Sequence, residues 1–170
     1  MNIRVLTAED APIYWERRLS ALKENPEAFA TTYEEAVARP NPVEGMAKRL
    51  EDGENGFTLG AFDEQGALVG VVTFMREQQT KTRHKGNVVA VYVAPETRGQ
   101  GVARALMLDL IERVKGLGGV EQIHLAVNAA NEPARRLYKN VGFEVFGFEK
   151  NALKHEGKSY DDEWMMLRLI

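Results

Sequence analysis

Residues 91–104 read Val-Tyr-Val-Ala-Pro-Glu-Thr-Arg-Gly-Gln-Gly-Val-Ala-Arg, and no other stretch constrains the fold as tightly. An apolar strand stops at Pro95. A short loop follows with Arg98, Gly99, Gln100 and Gly101 in a row. From there Ala103, Leu106, Met107, Leu110, Ile111 and Val114 recur at helical spacing, so the chain leaves the loop directly into an amphipathic helix. Strand, glycine loop and helix in that order aim free backbone N–H groups at one point, and the helix dipole adds partial positive charge there. The arrangement suits a phosphate or pyrophosphate.

Spacing separates three ways of using such a loop. A dinucleotide fingerprint needs G-x-G-x-x-G, and Gly99 and Gly101 fit, but Arg104 stands at the third position. A P-loop needs G-x-x-x-x-G-K-[ST]. Gly157-Lys158-Ser159 has Ala152 where the first glycine belongs and runs into Asp161, Asp162 and Glu163, which repel phosphate. The third pattern, [QR]-x-x-G-x-[GA], is matched by Arg98, Gly101 and Ala103. It resembles the acyl-CoA loop of the GNAT family of N-acetyltransferases. Residues 124–143 resemble the same family's second core motif: a strand, then N-x-x-A-x-x-L-Y, then G-F, carried by Asn131, Ala134, Leu137, Tyr138, Gly142 and Phe143. Gly157 to Asp162, leading into Met166 and Leu167, is similar to the last strand of many members.

Composition bounds the rest. A chain of 170 residues with 44% hydrophobic and 28% charged residues suits a single domain over residues 1–170 with one core. A net charge of −3 argues against a general nucleic-acid footprint. The absence of cysteine removes disulfides, thiolate metal sites and a cysteine-linked acyl-enzyme. No apolar run is long enough for a signal peptide or a membrane span, so the expected location is the cytoplasm.

Along the chain, Ile3–Leu6 reads as a strand. Thr7 and Asp10 form a variant capping box opening a helix over residues 8–24, which Asn25-Pro26 ends. Residues 26–41 resist placement. Asn41-Pro42 starts a helix that Gly53 stops. Residues 57–62 and 68–75 form a hairpin around Asp63-Glu64-Gln65-Gly66, and 76–87 read as a polar loop. Residues 88–93 alternate little, which predicts a strand buried on both faces. The loop helix closes at Gly116–Gly119, a strand covers 123–127, Asn131 caps a second core helix, and 143–148 and 164–169 supply the last strands. The expected class is α/β of the α+β type: a mostly antiparallel mixed sheet flanked by helices, GNAT-like.

The resemblance implies acetyl-CoA as co-substrate, with no metal. It assigns the pyrophosphate to the loop N–H groups of Gly99, Gln100, Gly101, Val102, Ala103 and Arg104. It assigns the pantetheine arm to the strand at Val91, Tyr92 and Val93, whose backbone at Val91 and Val93 pairs like an added strand. Arg98 and Arg104 bring positive charge near phosphates, and Asn131 contacts the cofactor besides capping its helix. Tyr138 is the implied general acid, protonating the leaving thiolate; a phenol of pKa about 10 is protonated at neutral pH. The resemblance also implies a carboxylate base on the loop strand or the next one, but those positions hold Ala90 and Ala126. An α-amine of pKa about 7.7–8.0 needs little help; a lysine-like amine of about 10.4 needs more. His84, Asp161, Asp162 and Glu163 are the candidates for that base.

For the acceptor, Phe29, Tyr33, Glu34 and Glu35, with His84, stand where family members vary their pocket, and aromatics with carboxylates suit a cationic amine. Small amines, amino acids, antibiotics and peptide or protein amines all stay open as acceptors. A sheet edge offers a route to a homodimer. The alternative to an N-acetyltransferase is a catalytically weak acyl-CoA sensor or partner-binding module on the same fold, favoured by Ala90 and Ala126 and opposed by Tyr138.

Overall fold

The computed structural model describes residues 1–51, 53 and 55–170. The strands are β1 (Asn2–Val5), β2 (Gly56–Phe62), β3 (Leu68–Arg76), β4 (Lys85–Val93), β5 (Gln122–Asn128), β6 (Glu144–His155) and β7 (Lys158–Arg168). The helices are α1 (Ala11–Glu24), α2 (Tyr33–Val37), α3 (Pro42–Leu50), α4 (Val102–Gly116) and α5 (Glu132–Asn140). Among the described residues the strands form one seven-stranded sheet in the order β1-β2-β3-β4-β5-β7-β6. Every neighbouring pair is antiparallel except β4–β5, which runs parallel through the α4 crossover.

Helices cover the two faces unequally. On one face α4 and α5 bury Leu106, Met107, Leu110, Val114 and Tyr138 against Leu59, Val72, Phe74, Val88, Ile123, Leu125 and Val127. On the other, α1 to α3 bury Tyr14, Trp15, Leu22, Ala36 and Met46 against Phe62, Leu68, Val71 and Tyr92. Burying a leucine-sized side chain this completely stabilises by roughly 1.5–3 kcal/mol each, which makes α4 the main anchor of the first face. The α1–α3 layer packs on the β1–β4 half, and the Pro26–Ala28 turn reaches across to β5 and β6.

Several expectations shift. A 3₁₀ turn at Ala8–Asp10 precedes α1, because the Asp10 carboxylate accepts from the Thr7 N–H at 2.7 Å and pairs with Arg4. The hard-to-place segment contains a 3₁₀ turn at Pro26–Ala28 and α2, capped by Thr32, whose Oγ1 accepts from Glu35 N–H at 3.1 Å. Helix α3 ends at Leu50 rather than Gly53, and Asp52 lies outside the described residues. The last three residues of the expected 76–87 loop belong to β4, where Lys85, Gly86 and Asn87 pair with both β3 and β5 or with β5.

β4 is not buried on both faces. Val88 and Tyr92 pack into opposite cores while Val89 is 39% exposed. The reason is that β4 parts from β5 after Asn87. β6 and β7 run far longer than expected, as a hairpin turning at Glu156 and Gly157, both at positive φ. Gly157-Lys158-Ser159 is therefore a hairpin turn and not a phosphate loop. Val145, Phe146 and Phe148 on the edge strand β6 are exposed.

At the root of the β4–β5 pair, a Cβ on Gly86 would overlap the fully buried ring of Phe74. Gly86→Ala is expected to destabilise the protein by about 1–3 kcal/mol, as overpacking does. Chemical denaturation of parent and variant checks this, and an unchanged midpoint would contradict the packing.

Candidate active site

Pairing between β4 and β5 is confined to Lys85↔Gln122, Gly86↔Ile123 and Asn87↔His124. Beyond it the strands splay, and the β5-facing backbone of β4 has no strand partner. Which residues face the opening follows from the two-residue period of a strand. Ala94 N–H donates to Val69 C=O on β3 at 2.8 Å, so Val91 and Val93 turn their backbone groups into the opening. Tyr92 pairs with Val71 instead. Its side chain lies on the α1 side: its hydroxyl donates to Glu24 at 2.7 Å, and burial, then this bond, pushes its pKa up to about 12. Of the three expected strand residues, Val91 and Val93 are thus the ones that face the opening. The β3–β4 register slips between Val71 and Thr73, and Ala90 sits at φ 55, so a bulge falls on Ala90.

The loop after β4 closes the wide end of the cleft. A 3₁₀ turn at Pro95–Thr97 leads to Gly99 and Gly101 at φ 75 and 81. A Cβ at either would meet nothing within 4 Å, so these glycines answer to left-handed backbone and leave open space in front of it. Gly101 occupies the N-cap of α4, makes no side-chain cap, and the first turn holds no acidic residue. The N–H groups there have no anion of the chain to satisfy them, which fits a bound phosphate group.

Arg98 does not reach forward: its Nε donates to Val93 C=O at 3.0 Å and its guanidinium lies 3.9 Å from Glu24. Gln100 Nε2 donates to Glu96 C=O at 3.3 Å. Both brace the loop. Arg104 is exposed at the first turn of α4 and makes no hydrogen bond or ion pair among the described residues.

Tyr138 lies on α5, 6% exposed, with its ring edge-on to Phe143 at 6.1 Å, and it lines the cleft with Val127, Asn131 and Leu137. Burial alone pushes its phenol to about 12. Asn131 Oδ1 accepts from Ala134 N–H at 3.2 Å, so the expected cap is in place.

The acidic candidates near β7 separate clearly. Glu163 is locked in a two-pronged pair with Arg135 at 2.7 and 2.8 Å, which holds its carboxyl below the usual range. Asp161 accepts from Asn151 N–H at 2.8 Å. Asp162 lines the cleft, and desolvation together with Glu149 and Asp161 pushes its carboxyl up.

The expected acceptor residues are only partly brought together. Phe29 lines a pocket with Tyr14, Arg17, Arg18, Ala21, Val71, Ala90 and Tyr92. Tyr33 instead lies under the Lys23 ammonium, 4.4 Å from its ring centre, and Glu34 is exposed in the first turn of α2. Glu35 is committed to its capping box. His84 sits at the opposite end of β4 from the bulge, where its carbonyl accepts from Glu121 N–H at 2.7 Å. The residues missed are Tyr14 and Arg18. Their spacing of four, with Ala21 three further on, puts them on one face of α1 and was the available signal.

The profile of the Acetyltransferase (GNAT) family matches residues 15–143. The chain belongs to this family. It is 31% identical over 145 residues to the L-amino acid N-acetyltransferase AaaT of Escherichia coli, covering 85% of each chain. It is 37% identical over 124 residues to a mycothiol acetyltransferase of Brachybacterium faecium, covering 72% of this chain but 36% of that one. The chain therefore spans about a third of that relative's length. Among solved structures it superposes on a phosphinothricin acetyltransferase of Sinorhizobium meliloti in complex with AcCoA, with TM-score 0.83 and 26% identity, covering 99% of this chain and 88% of that one. The splayed strands, the bulge and the open loop fit the acyl-CoA that such a GNAT member takes.

Two substitutions test this geometry. Gly101→Asp places a carboxylate where the helix N–H groups converge and strains a left-handed position. Coenzyme A at about a hundredfold excess over Kd is expected to stabilise the parent by about 2.7 kcal/mol and the variant far less, read by thermal denaturation. For Asp162→Asn, the raised carboxyl means that its ionised form opposes folding. The variant is expected to melt higher than the parent at pH 7, with the difference vanishing as pH falls below the ordinary carboxylate range near about 4. A lower melting temperature at pH 7 would contradict that reading.

Proposed function

We propose that this protein is an acyl-CoA-dependent N-acetyltransferase that moves the acetyl group of acetyl-CoA directly onto the primary amine of a small molecule. The observation that carries the proposal is the parting of β4 from β5 after Asn87, with Val91 and Val93 backbone groups facing the opening and the free N–H groups of α4 at its end. The relatives named as an L-amino acid N-acetyltransferase and a mycothiol acetyltransferase support a small acceptor.

The phosphates are held at Gly99–Arg104, so the pantetheine arm runs back along Val93 and Val91 and brings the thioester to the Ala90 bulge. The acceptor nitrogen attacks the thioester carbon from the α1 side, an amide bond forms, and the C–S bond breaks. Tyr138 gives its hydroxyl proton to the departing sulfur and is reprotonated from solvent. The surplus proton of the amine leaves to Asp162, which lines the same cleft and whose raised carboxyl is the better base among its acidic neighbours. Having no cysteine, the chain lacks the most capable nucleophile for a covalent acetyl-enzyme. Asp162 answers the lack of a carboxylate at Ala90 and Ala126 that favoured a non-catalytic sensor.

The test is a panel of amines assayed for release of free coenzyme A thiol, with Tyr138→Phe beside the parent. The variant keeps the ring and its contact with Phe143. It is expected to bind acetyl-CoA as the parent does and to lose roughly ten- to a thousandfold in kcat, around the range of general-acid catalysis. With the phenol pushed up to about 12, the parent's rate should rise as the amine deprotonates and show no alkaline fall below about pH 10. An unchanged single-turnover rate in the variant would remove Tyr138 from the reaction.

A further inference from the structure

We propose that Arg18 is the specificity residue of the acceptor pocket and that the acceptor is an amine carrying a carboxylate. The proposal rests on the acetyltransferase reading and names the substrate class of that same site. Arg18, on α1, lines the small pocket at the Ala90 bulge with Ala21 and Val71, and also the wider cleft with Tyr14, Phe29 and Tyr92. This is the face opposite α4, from which the amine approaches.

Arg104 stands at the phosphate loop and Arg49 on the wider cleft, away from the small pocket at Ala90, while three further arginines have partners inside the protein. Arg17 donates to Leu68 C=O at 2.6 Å and lies 3.7 Å from Glu96; Arg98 serves Val93 and Glu24; Arg135 is held by Glu163 and Glu132. Arg18 makes no hydrogen bond or ion pair among the described residues. Its nearest aromatic contact is the Phe29 ring, 6.0 Å from the guanidinium carbon to the ring centre.

The surroundings add positive charge rather than cancel it. Arg49 and Lys48 line the wider cleft on the same side, and Arg39 is close enough to repel Arg18. Desolvation comes first, and then Arg49 and Arg39, in pressing the guanidinium below its ordinary pKa; Tyr14 opposes them. No carboxylate is among the groups acting on it. Glu27, on the rim of the same cleft, makes no ion pair with it.

A half-buried, unpaired guanidinium among like charges costs the folded protein stability unless a ligand anion completes it. The planar donor fork of arginine matches a carboxylate two-pronged, and a plain cationic amine would be repelled there. The acceptor that satisfies both demands is zwitterionic: a carboxylate on Arg18 and an amine at the bulge. That chemistry narrows the expectation from Phe29, Tyr33, Glu34 and Glu35, which suited a cationic amine and kept amino acids among several acceptor classes.

The experiment pairs acids with their amides. L-leucine, L-methionine, L-phenylalanine and L-glutamine are assayed beside their α-carboxamides, with putrescine as a plain diamine, by thiol release in parent, Arg18→Gln, Arg18→Lys and Arg49→Gln. The amide's amine is the less basic of each pair, so intrinsic reactivity favours the amide. At least one acid is nevertheless expected to exceed its amide in kcat/KM by about ten- to a hundredfold in the parent, mainly through KM.

Arg18→Gln should collapse that ratio towards one while leaving amide turnover in place, and Arg18→Lys should keep part of it. If Arg18→Gln does not fold, the parent's acid-to-amide ratio and the Arg18→Lys profile decide alone. Amides or putrescine accepted as well as acids, or acid and amide slowed equally in Arg18→Gln, would overturn the inference and leave the acetyltransferase standing. No thiol release with any member would overturn both.

Discussion

Everything distinctive in this molecule depends on one interruption: the parallel pairing of β4 with β5 stops after Asn87. Buried backbone N–H and C=O groups demand partners, and a sheet normally supplies them. Here the β5-facing edge of β4 around Val91 has no strand partner, while the Val93 C=O accepts from Arg98, so the cleft keeps an edge free for something strand-like. The interruption persists because each strand is secured from its other side. β3 holds β4 from Gly86 to Val93, and β7 holds β5 along Gln122–Asn128. The sheet is thus two half-sheets joined at a short parallel root, with α4 packed over the β2–β4 half on one face. The Ala90 bulge belongs to the same device, since an extra residue in β4 bends the strand away from β5 where the opening widens.

A second consequence concerns how the loop and the acceptor wall share structure. Tyr92 donates to Glu24, Glu24 lies against Arg98, and Arg98 donates to Val93 C=O. This chain runs from the end of α1 to the edge strand of the opening and then to the loop. A hydrogen bond to a charged group of this kind contributes about 1.5–3 kcal/mol. The helix carrying Tyr14 and Arg18 is therefore fixed relative to the strand that carries Val91 and Val93. Two walls of the cleft are tied by the same three side chains, so their mutual placement does not rely on loop packing.

The parts of this architecture that the sequence revealed are those where backbone conformation dictates residue type. Gly99 and Gly101 are glycines because their φ angles are positive, and Asn131 is an asparagine because it caps α5. Such requirements leave patterns. The hairpin of β6 and β7 left little pattern because much of it is exposed on both faces, so the alternation that marks a half-buried strand is missing over 144–155. Lys85 and Asn87 are polar at the root of β4 and looked like loop for the same reason. The splay could not be read at all. It is a relation between two strands, and either strand alone would have the same sequence if they paired to the end.

The acceptor side was the least legible, for a related reason. The loop and strand edge at the cleft are built from backbone, whose geometry constrains sequence locally. The α1 side of the cleft is lined by side chains from α1, the turn before α2, β4 and the neighbourhood of β7, each far apart in the chain. In a sequence, Arg18 is one arginine in an amphipathic helix, and Glu34 beside Tyr33 looks the more suggestive pair. The difference lies in what surrounds each group. Glu34 has water and Glu35 has its capping box, while Arg18 has apolar walls and like charges. A side chain declares a role when the fold strips away its ordinary partners and does not replace them. By that criterion the charge left open on the α1 side of the cleft is positive, and it lines the same pocket as Ala90, where β4 bulges.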